Sequence, residues 1–278
     1  MKVVTLNIHS HFNQMDRTAL LEHAVQFADY IVREDAEVIA LQECSQTHDA
    51  KKAEGIFPGF FLPACSETVI REDNCAYLIA KELEKRGWKY YWTWTGAKFG
   101  YDIYDEGLAL FSRKPVLETE EHYISRSRDY SNWKTRKALG MKVLCGQESI
   151  WFYSVHMGWW QDAEEPFESQ FERLSQIVEK KQEVYLMGDF NSRADAEGEG
   201  YDMVKRSGWF DVYDMAEQKD SGITVPGNID GWKDAGSGMR IDYIWTKKKK
   251  NVKFSKVIFD GYDGAVISDH FGVMAAVE

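Results

Sequence analysis

With 278 residues, 44% of them hydrophobic, the chain can bury a substantial core and reads as an ordinary globular protein. Its 45 acidic against 34 basic residues leave a formal charge of -11, which opposes a general affinity for nucleic-acid backbones, because that affinity comes from Lys and Arg displacing counterions. No apolar run approaches the roughly 20 residues of a membrane span, which excludes a helical membrane protein.

The chain opens in "MKVVTLNIHS", where the β-branched run over 3–8 predicts a strand with Asn7 near its end. A strand so close to the start leaves no space for a charged and then apolar leader, and a cytoplasmic location is expected. Asp16 then opens "DRTALLEHAVQFADYIVRE", in which Leu20, Ala24, Phe27, Ala28 and Ile31 recur at helical spacing. The strand "EVIALQE" comes next, followed by a long polar loop and by "NCAYLIAKELEKRG", a helix capped by Asn74 and stopped at Gly87. From residue 88 the pattern changes to β: "WKYYWTW", "GLALFSR", "VLETEEHYI", "KALGMKVLC" and "SIWFYSV" read as strands joined by short turns, hence antiparallel. Trp92 and Trp94 alternate along the first of these and are expected in the core.

The loop "HMGWWQDAEE" leads to Pro166, which starts a helix with Phe167, Phe171, Leu174, Ile177 and Val178 on one face, and then to the strand "VYLMGDFN". The last strands are "RIDYIWT", "VKFSKVIF" and "FGVMAAV". Residues 217–240, rich in Gly and Asp, read as an ordered functional loop, and "TKKKKN" (246–251) as a solvated hairpin tip. Helices and strands alternate in both halves without a linker, a repeat or a break in composition. One α/β domain over residues 1–278 is therefore expected, with two mixed sheets packed face to face and helices outside. Cys44, Cys65, Cys75 and Cys145 lie far apart with no C-x-x-C pair and are expected to be reduced and structural.

Five of these apolar strands end in polar side chains: "TLN" in Asn7, "ALQE" in Glu43, "FYSVH" in His156, "LMGDFN" in Asp189 and Asn191, and "VISDH" in Asp269 and His270. One such terminus is a surface cap; five point to a shared site. Carboxylates converging in a partly dry cleft repel one another by several kcal/mol, so something positive must hold them together. Oxygen donors without Cys or paired His spacing favour Mg²⁺ or Mn²⁺ over Zn²⁺, as one ion or two. Glu43 is the best single ligand, with Asn7 beside it and Asp269 available to the same ion or to a second one. Asp189 and Asn191, two apart on an extended chain, face the same way and can together polarise a water and grip a phosphoryl oxygen. Asp269 and His270 should point apart, which leaves Asp242 of "RIDYIW" as the carboxylate for an Asp–His dyad, against a plain salt bridge from Asp242 to an Arg.

The ordered set "TLN", "LQE", "GLALFSR", "VH", "GDFN", "RIDYI" and "SDH", spread from residue 5 to residue 270, closely resembles the endonuclease/exonuclease/phosphatase superfamily of metal-dependent phosphoesterases. The resemblance implies a four-layer α/β/β/α sandwich and a Mg²⁺ site at Glu43 and Asn7. It also implies a water positioned and activated by Asp189 and Asn191, and a His270 supported by Asp242 against the phosphate. His156 would contact the phosphoryl group or protonate the leaving oxygen.

The substrate must be read from loops. "SRSRDYSNWKTRK" (125–137) gathers Arg126, Arg128, Lys134, Arg136 and Lys137 in an otherwise acidic chain, a clamp suited to a dianionic phosphate monoester unless it is only a surface charge run. Trp159 and Trp160 follow His156 and either pack or offer flat faces to a sugar or base; Trp133 and Trp232 raise the same question. His9 and His11, two apart just past Asn7, are left open, with loop positions the first reading and metal ligands the second. "SRSRDYSNWKTRKALG", "HMGWWQDAEEPFE" and "TVPGNIDGW" are together similar to a bacterial subgroup of sugar-phosphate phosphatases, maltose 6'-phosphate phosphatase among them. The expectation is a cytoplasmic Mg²⁺-dependent phosphomonoesterase acting on a small phosphorylated sugar. A phosphodiesterase of nuclease or sphingomyelinase type and a non-catalytic binding module of the same fold are the rivals. The retention of Glu43, Asp189, Asp242 and His270 weighs against the last.

Overall fold

The computed structural model describes residues 1–10, 17–229, 232, 236 and 238–278; Asp16 and His11 lie outside them. The strands are β1 (Lys2–Asn7), β2 (Val38–Gln42), β3 (Gln46–Thr47), β4 (Phe60–Phe61), β5 (Tyr91–Gly100), β6 (Tyr104–Ser112), β7 (Val116–Tyr123), β8 (Lys137–Cys145), β9 (Glu148–His156), β10 (Val184–Asp189), β11 (Phe210–Asp211), β12 (Ala216–Lys219), β13 (Asp242–Thr246), β14 (Val252–Ile258) and β15 (Gly272–Val277). The helices are α1 (Arg17–Glu34), α2 (Cys75–Lys85), α3 (Phe167–Val178), α4 (Gly200–Arg206) and α5 (Val212–Met215).

Two mixed sheets form. One runs β12-β14-β15-β1-β2-β6-β5-β4 with β3 beside β6, and the other β11-β13-β10-β9-β8-β7. Pairing is antiparallel except for β1 with β2, β4 with β5, β12 with β14 and β9 with β10. The two-residue period of a strand sends alternate side chains to opposite faces and so builds the layers. Val3, Val38 and Ala40 of the first sheet meet Met141, Phe152, Tyr185 and Met187 of the second. Val4, Leu6, Ile39 and Leu41 face outward and are covered by Ala24, Phe27, Ala28 and Ile31 of α1 and by Ile79 and Leu83 of α2. On the far side Val155, Val184, Leu186 and Trp245 lie under Phe167, Phe171 and Leu174 of α3 and Val204 of α4. The result is an α/β/β/α sandwich. No helix among the described residues is long and apolar enough to cross a membrane. All four cysteines are free thiols.

Between the sheets a small buried polar bridge fixes their relative position. Gln42 Nε2 donates to Ser154 Oγ at 2.9 Å, Ser154 Oγ donates to Leu41 O at 2.8 Å, and Thr5 Oγ1 donates to Gln42 Oε1 at 3.3 Å. Gly188 belongs to the same contact: at φ +147°, a Cβ there would sit 1.9 Å from Val155 O and 3.0 Å from Gln42 Nε2. No other residue lets β10 come so close to β9.

Three sequence expectations change. "TKKKKN" is not a hairpin tip, because β13 and β14 belong to different sheets and residues 247–251 carry the chain from one to the other. Lys248 and Lys250 pair there with Glu183 at 2.6 and 3.0 Å. The stretch 217–240 is not all loop, since its start continues β12, parallel to β14. Asp269 and His270 do not end a strand; they precede β15.

Candidate active site

The topology lines up the polar strand ends. Asn7 ends β1 beside Gln42 of β2, and Glu43 follows directly with φ +47°. In the second sheet Asp189 is flanked in register by His156 on the parallel β9 and by Asp242 on the antiparallel β13. A ligand beyond the C-terminal ends of β1, β2, β9 and β10 would meet both sheets at once.

The side chains converge. Asn7 Nδ2 donates to Glu43 Oε1 at 3.0 Å and to Asp189 Oδ2 at 3.2 Å. His156 places Nε2 3.7 Å from Asp189 Oδ2 and Nδ1 3.9 Å from Glu43 Oε1. His270 Nδ1 donates to Asp242 Oδ2 at 3.0 Å, while its Nε2 lies 3.9 Å from Asp189 Oδ2. The peptide between Asp189 and Asn191 bends away from extended geometry, with Asn191 at φ +45°. The two side chains are held at the site by a tight turn, in which Asn191 N–H donates to Asp189 Oδ1 at 2.8 Å, and not by strand alternation. The Asn191 amide is itself engaged: Nδ2 donates to Met157 O at 2.9 Å, and Oδ1 accepts from Trp232 Nε1 at 3.1 Å.

Asp269 and His9 complete the far side. His9 Nδ1 is 2.8 Å from Asp269 Oδ1, and its Nε2 is 3.9 Å from Glu43 Oε2. His9, whose role the sequence leaves open, thus bridges two of the carboxylates. Ser268 Oγ donates to Asn7 O at 2.7 Å and accepts from His270 N–H, which pins the "SDH" loop against β1.

The electrostatics divide the groups. Burial, followed by the facing Asp242 charge, pushes Asp189 up to about 7. Burial works against charge on His270, yet Asp242 beside it, with Asp189 and Asp269, raises it to about 10. His156 falls well below its usual range through burial and the positive charges of Arg136 and Lys98. Two neighbouring imidazoles are therefore set apart, one cationic and one neutral.

Glu43, His156, Asp189, Asn191 and His270 floor a cavity of about 390 Å³ whose walls include Lys98, Glu106, Arg136, Trp133, Trp159 and Tyr101. Arg136 is 4% exposed, and among the described residues its guanidinium meets only carbonyls, Trp133 O at 3.0 Å and Thr135 O at 3.3 Å from Nη1, and its buried Nε finds no acceptor. The rest of the basic loop is turned elsewhere. Exposed Arg126 reaches Ser169 Oγ at 2.9 Å, exposed Arg128 sits over the Tyr123 ring, and Lys134 is bound by Asp162 and Glu164 at 2.8 and 3.1 Å. Trp160 packs toward the core, 6.1 Å from the Phe167 ring. The wall residues Lys98, Glu106 and Tyr101 carry no signal in the sequence, where they are mid-strand or turn positions.

Asp189, Asp242 and His270 bring ligand atoms within 4.8 Å of one another. Within that trio His270 is oriented by Asp242 through Nδ1, an Asp–His dyad whose Nε2 faces the Asp189 carboxylate at 3.9 Å. A second donor set of hard oxygen-bearing groups also suits a cation: Glu43 and Asp189 crowd a single Asn7 amide.

The model of the Endonuclease/Exonuclease/phosphatase family matches residues 4–270. Among curated proteins, none matches. A solved endonuclease/exonuclease/phosphatase family protein from Leptotrichia buccalis C-1013-b is 30% identical, with 100% of this chain and 99% of that one covered and a TM-score of 0.87. A mannosyl-6-phosphatase of Bacteroides thetaiotaomicron VPI-5482 has 17% identity, coverage of 100% and 99% and a TM-score of 0.66. A beta toxin mutant from Staphylococcus aureus, with bound magnesium ions, has 16% identity, the same coverage and a TM-score of 0.66.

Proposed function

The chain belongs to the endonuclease/exonuclease/phosphatase family, and from that premise we propose that it is a Mg²⁺-dependent phosphomonoesterase acting on a small phosphorylated sugar. The observation that carries the reading is Arg136: a guanidinium buried in the cavity wall with no carboxylate partner among the described residues, above a floor of carboxylates and imidazoles. A buried cation without a counter-ion is costly, and the dianion of a phosphate monoester offsets that cost better than a singly charged diester. The cavity volume suits one or two sugar rings rather than a polymer. The magnesium-containing beta toxin and the mannosyl-6-phosphatase, as relatives in fold, are consistent with this choice.

Glu43 and Asn7, with Asp269 beside them, would hold the cation. When bound, it supplies positive charge against the phosphoryl oxygens and against the crowded carboxylates. The chain's own groups do the rest. Asp189 Oδ1 accepts from the Asn191 N–H and Oδ2 from Asn7 Nδ2, which fixes the carboxylate so that the second lone pair of Oδ2 takes the proton of the attacking water. The cationic His270, held by Asp242, faces the negative charge that builds on the phosphate. Of the two roles open to His156, a neutral ring favours contact with a phosphoryl oxygen over delivery of a proton.

The test compares Mg²⁺-dependent phosphate release from an aryl phosphate monoester with hydrolysis of the matching diester. The monoester should turn over faster, and Arg136→Leu should lower its kcat/KM by about 10²-fold while affecting the diester less. Faster turnover of the diester by the unaltered protein would replace this reading with a phosphodiesterase.

A further inference from the structure

The chain reverses its phase at Glu43. Along β2, Val38 and Ala40 face the second sheet while Ile39 and Leu41 face the helices, as a two-residue period requires. Gln42 keeps the inward phase, since its amide reaches Ser154 on β9. Continued without a break, the same period would send Glu43 out among the helices and Cys44 in between the sheets. The opposite is found. Glu43 Oε1 accepts from Asn7 Nδ2 at 3.0 Å and lies 3.9 Å from His156 Nδ1 on the other sheet, while Cys44 joins Ile39 and Leu41 in the outer core. The reversal is made by Glu43 itself, at φ +47°. A left-handed backbone is disfavoured for a residue with a Cβ, and a glutamate side chain is too long for the local hydrogen bond that lets Asn or Asp adopt it. Contacts from elsewhere in the chain must hold it.

Ser10, beyond the end of β1, supplies the side-chain part of that hold. Its hydroxyl donates to Glu43 O at 2.9 Å and accepts from Ser45 N–H at 2.8 Å, and its own N–H donates to Glu43 O at 3.2 Å. One buried hydroxyl thus bonds the peptides on both sides of Cys44, where the ladder between β1 and β2 has ended. Ser10 does not line the cavity that Glu43 floors, so it can reach the site only through Glu43. Two further contacts keep the loop closed without it: Cys44 N–H donates to Gly107 O at 2.9 Å, and Ser45 Oγ reaches Glu43 O at 3.3 Å.

We propose that Ser10 is a positioning residue for the divalent cation: by fastening Glu43 in the left-handed conformation, it turns the carboxylate between the sheets. Without the hydroxyl, Glu43 relaxes toward extended backbone for part of the time, and its carboxylate swings toward the helix layer. The assignment rests on the reading that Glu43 holds Mg²⁺. Strain kept at a single residue next to a site has a use when the strained form is the one that binds, because a ligand already in place binds more tightly than one that must rearrange first. The conformation that Ser10 stabilises is the one that decides which layer of the sandwich receives Glu43.

The experiment titrates EDTA-stripped protein with Mg²⁺ in a calorimeter and follows thermal unfolding in EDTA, for the unaltered chain, Ser10→Ala and Ser10→Thr. Ser10→Ala should weaken the Mg²⁺ Kd by about fivefold, the worth of one lost hydrogen bond. The Mg²⁺ concentration for half-maximal phosphate release should rise by the same factor, with kcat at saturating Mg²⁺ little changed. Ser10→Thr keeps the hydroxyl and should bind Mg²⁺ as the unaltered chain does. A serine that only closes a loop would lower Tm in EDTA and leave the Kd where it was. That result, or equal weakening in Ser10→Thr, overturns the role of Ser10 and leaves the cation site standing. Absence of Mg²⁺ binding by the unaltered protein removes the cation reading at Glu43, and the role of Ser10 with it.

Discussion

At His270 the contest between burial and charge is settled by one neighbour. The ring is 4% exposed, an environment that by itself favours the neutral form, yet Asp242 at 3.0 Å keeps it cationic. Asp242→Asn keeps the shape and removes the charge. It should lower kcat by about 10²–10³-fold with KM little changed and the circular dichroism spectrum intact, since the lost interaction grows with charge on the reacting phosphate. A kcat within a few-fold of the unaltered protein would mean that Asp242 only packs. The residues of this dyad were legible in the sequence, as were Asn7, Glu43, His156 and Asp189, because a polar side chain at the rim of an apolar strand must find a partner. Lys98 and Glu106 were not. They sit inside "TGAKFGYDIYDEGLAL" as ordinary alternating positions, and only the register shift in β5 sets them opposite each other on the cavity wall. The basic loop shows the converse failure: counting cations over 125–137 cannot reveal that Asp162 and Glu164 claim Lys134 while Arg136 is left in the wall.

Between elements, the edge strand β7 is tied to the rest of its sheet and to the helix layer by one carboxylate. Glu120 accepts from Tyr153 Oη on β9 and lies 3.0 Å from Lys181 Nζ, just beyond α3, with the His122 ring 3.2 Å away. Burial opposes the charge, but these donors depress the carboxyl from 4.5 to about 2. A carboxyl more acidic in the folded than in the unfolded chain stabilises the fold above the unfolded value. That contribution is lost as pH falls from about 4.5 through about 2, when protons bind the unfolded state first. Glu120→Gln should therefore cost about 2 kcal/mol near pH 7, after allowance for partial exposure, and almost nothing near pH 2. Urea unfolding at pH 3, 5 and 7 reads this directly; a deficit that stays constant with pH would rule the carboxylate out. Such ties explain what could be read at this scale. Strand and helix identities follow from periodicity, but which sheet a strand joins depends on pairing partners far away in the chain. "RIDYIWT" and "VKFSKVIF" look like a hairpin in sequence, yet β13 pairs with β10 and β11 while β14 pairs with β12 and β15, so the lysines between them span the sandwich edge.

Over the whole molecule, four carboxylates converge where the two sheets meet. Glu43, Asp189, Asp242 and Asp269 come from four separated stretches of sequence, and each sheet contributes its share only when the sandwich is assembled. The Gln42–Ser154 bridge and the close approach at Gly188 hold the two sheets at the distance that brings these groups together. Assembly therefore works against repulsion, some of which Asn7, His9 and His270 absorb. A divalent cation bound there recognises only the folded state, and at a hundredfold excess over its Kd it would add about 2.7 kcal/mol. In a chain of this length that amounts to a rise of about 5 °C in Tm. Mg²⁺ or Mn²⁺ should produce this rise over EDTA-treated protein in a thermal scan. Glu43→Gln should abolish most of it, while Trp133→Ala, which lies in the outer wall, should leave it in place. Equal Tm values with Mg²⁺ and with EDTA would mean that the sandwich tolerates its converging carboxylates without a metal, and that the crowding around Asn7 is relieved by protonating Asp189 instead.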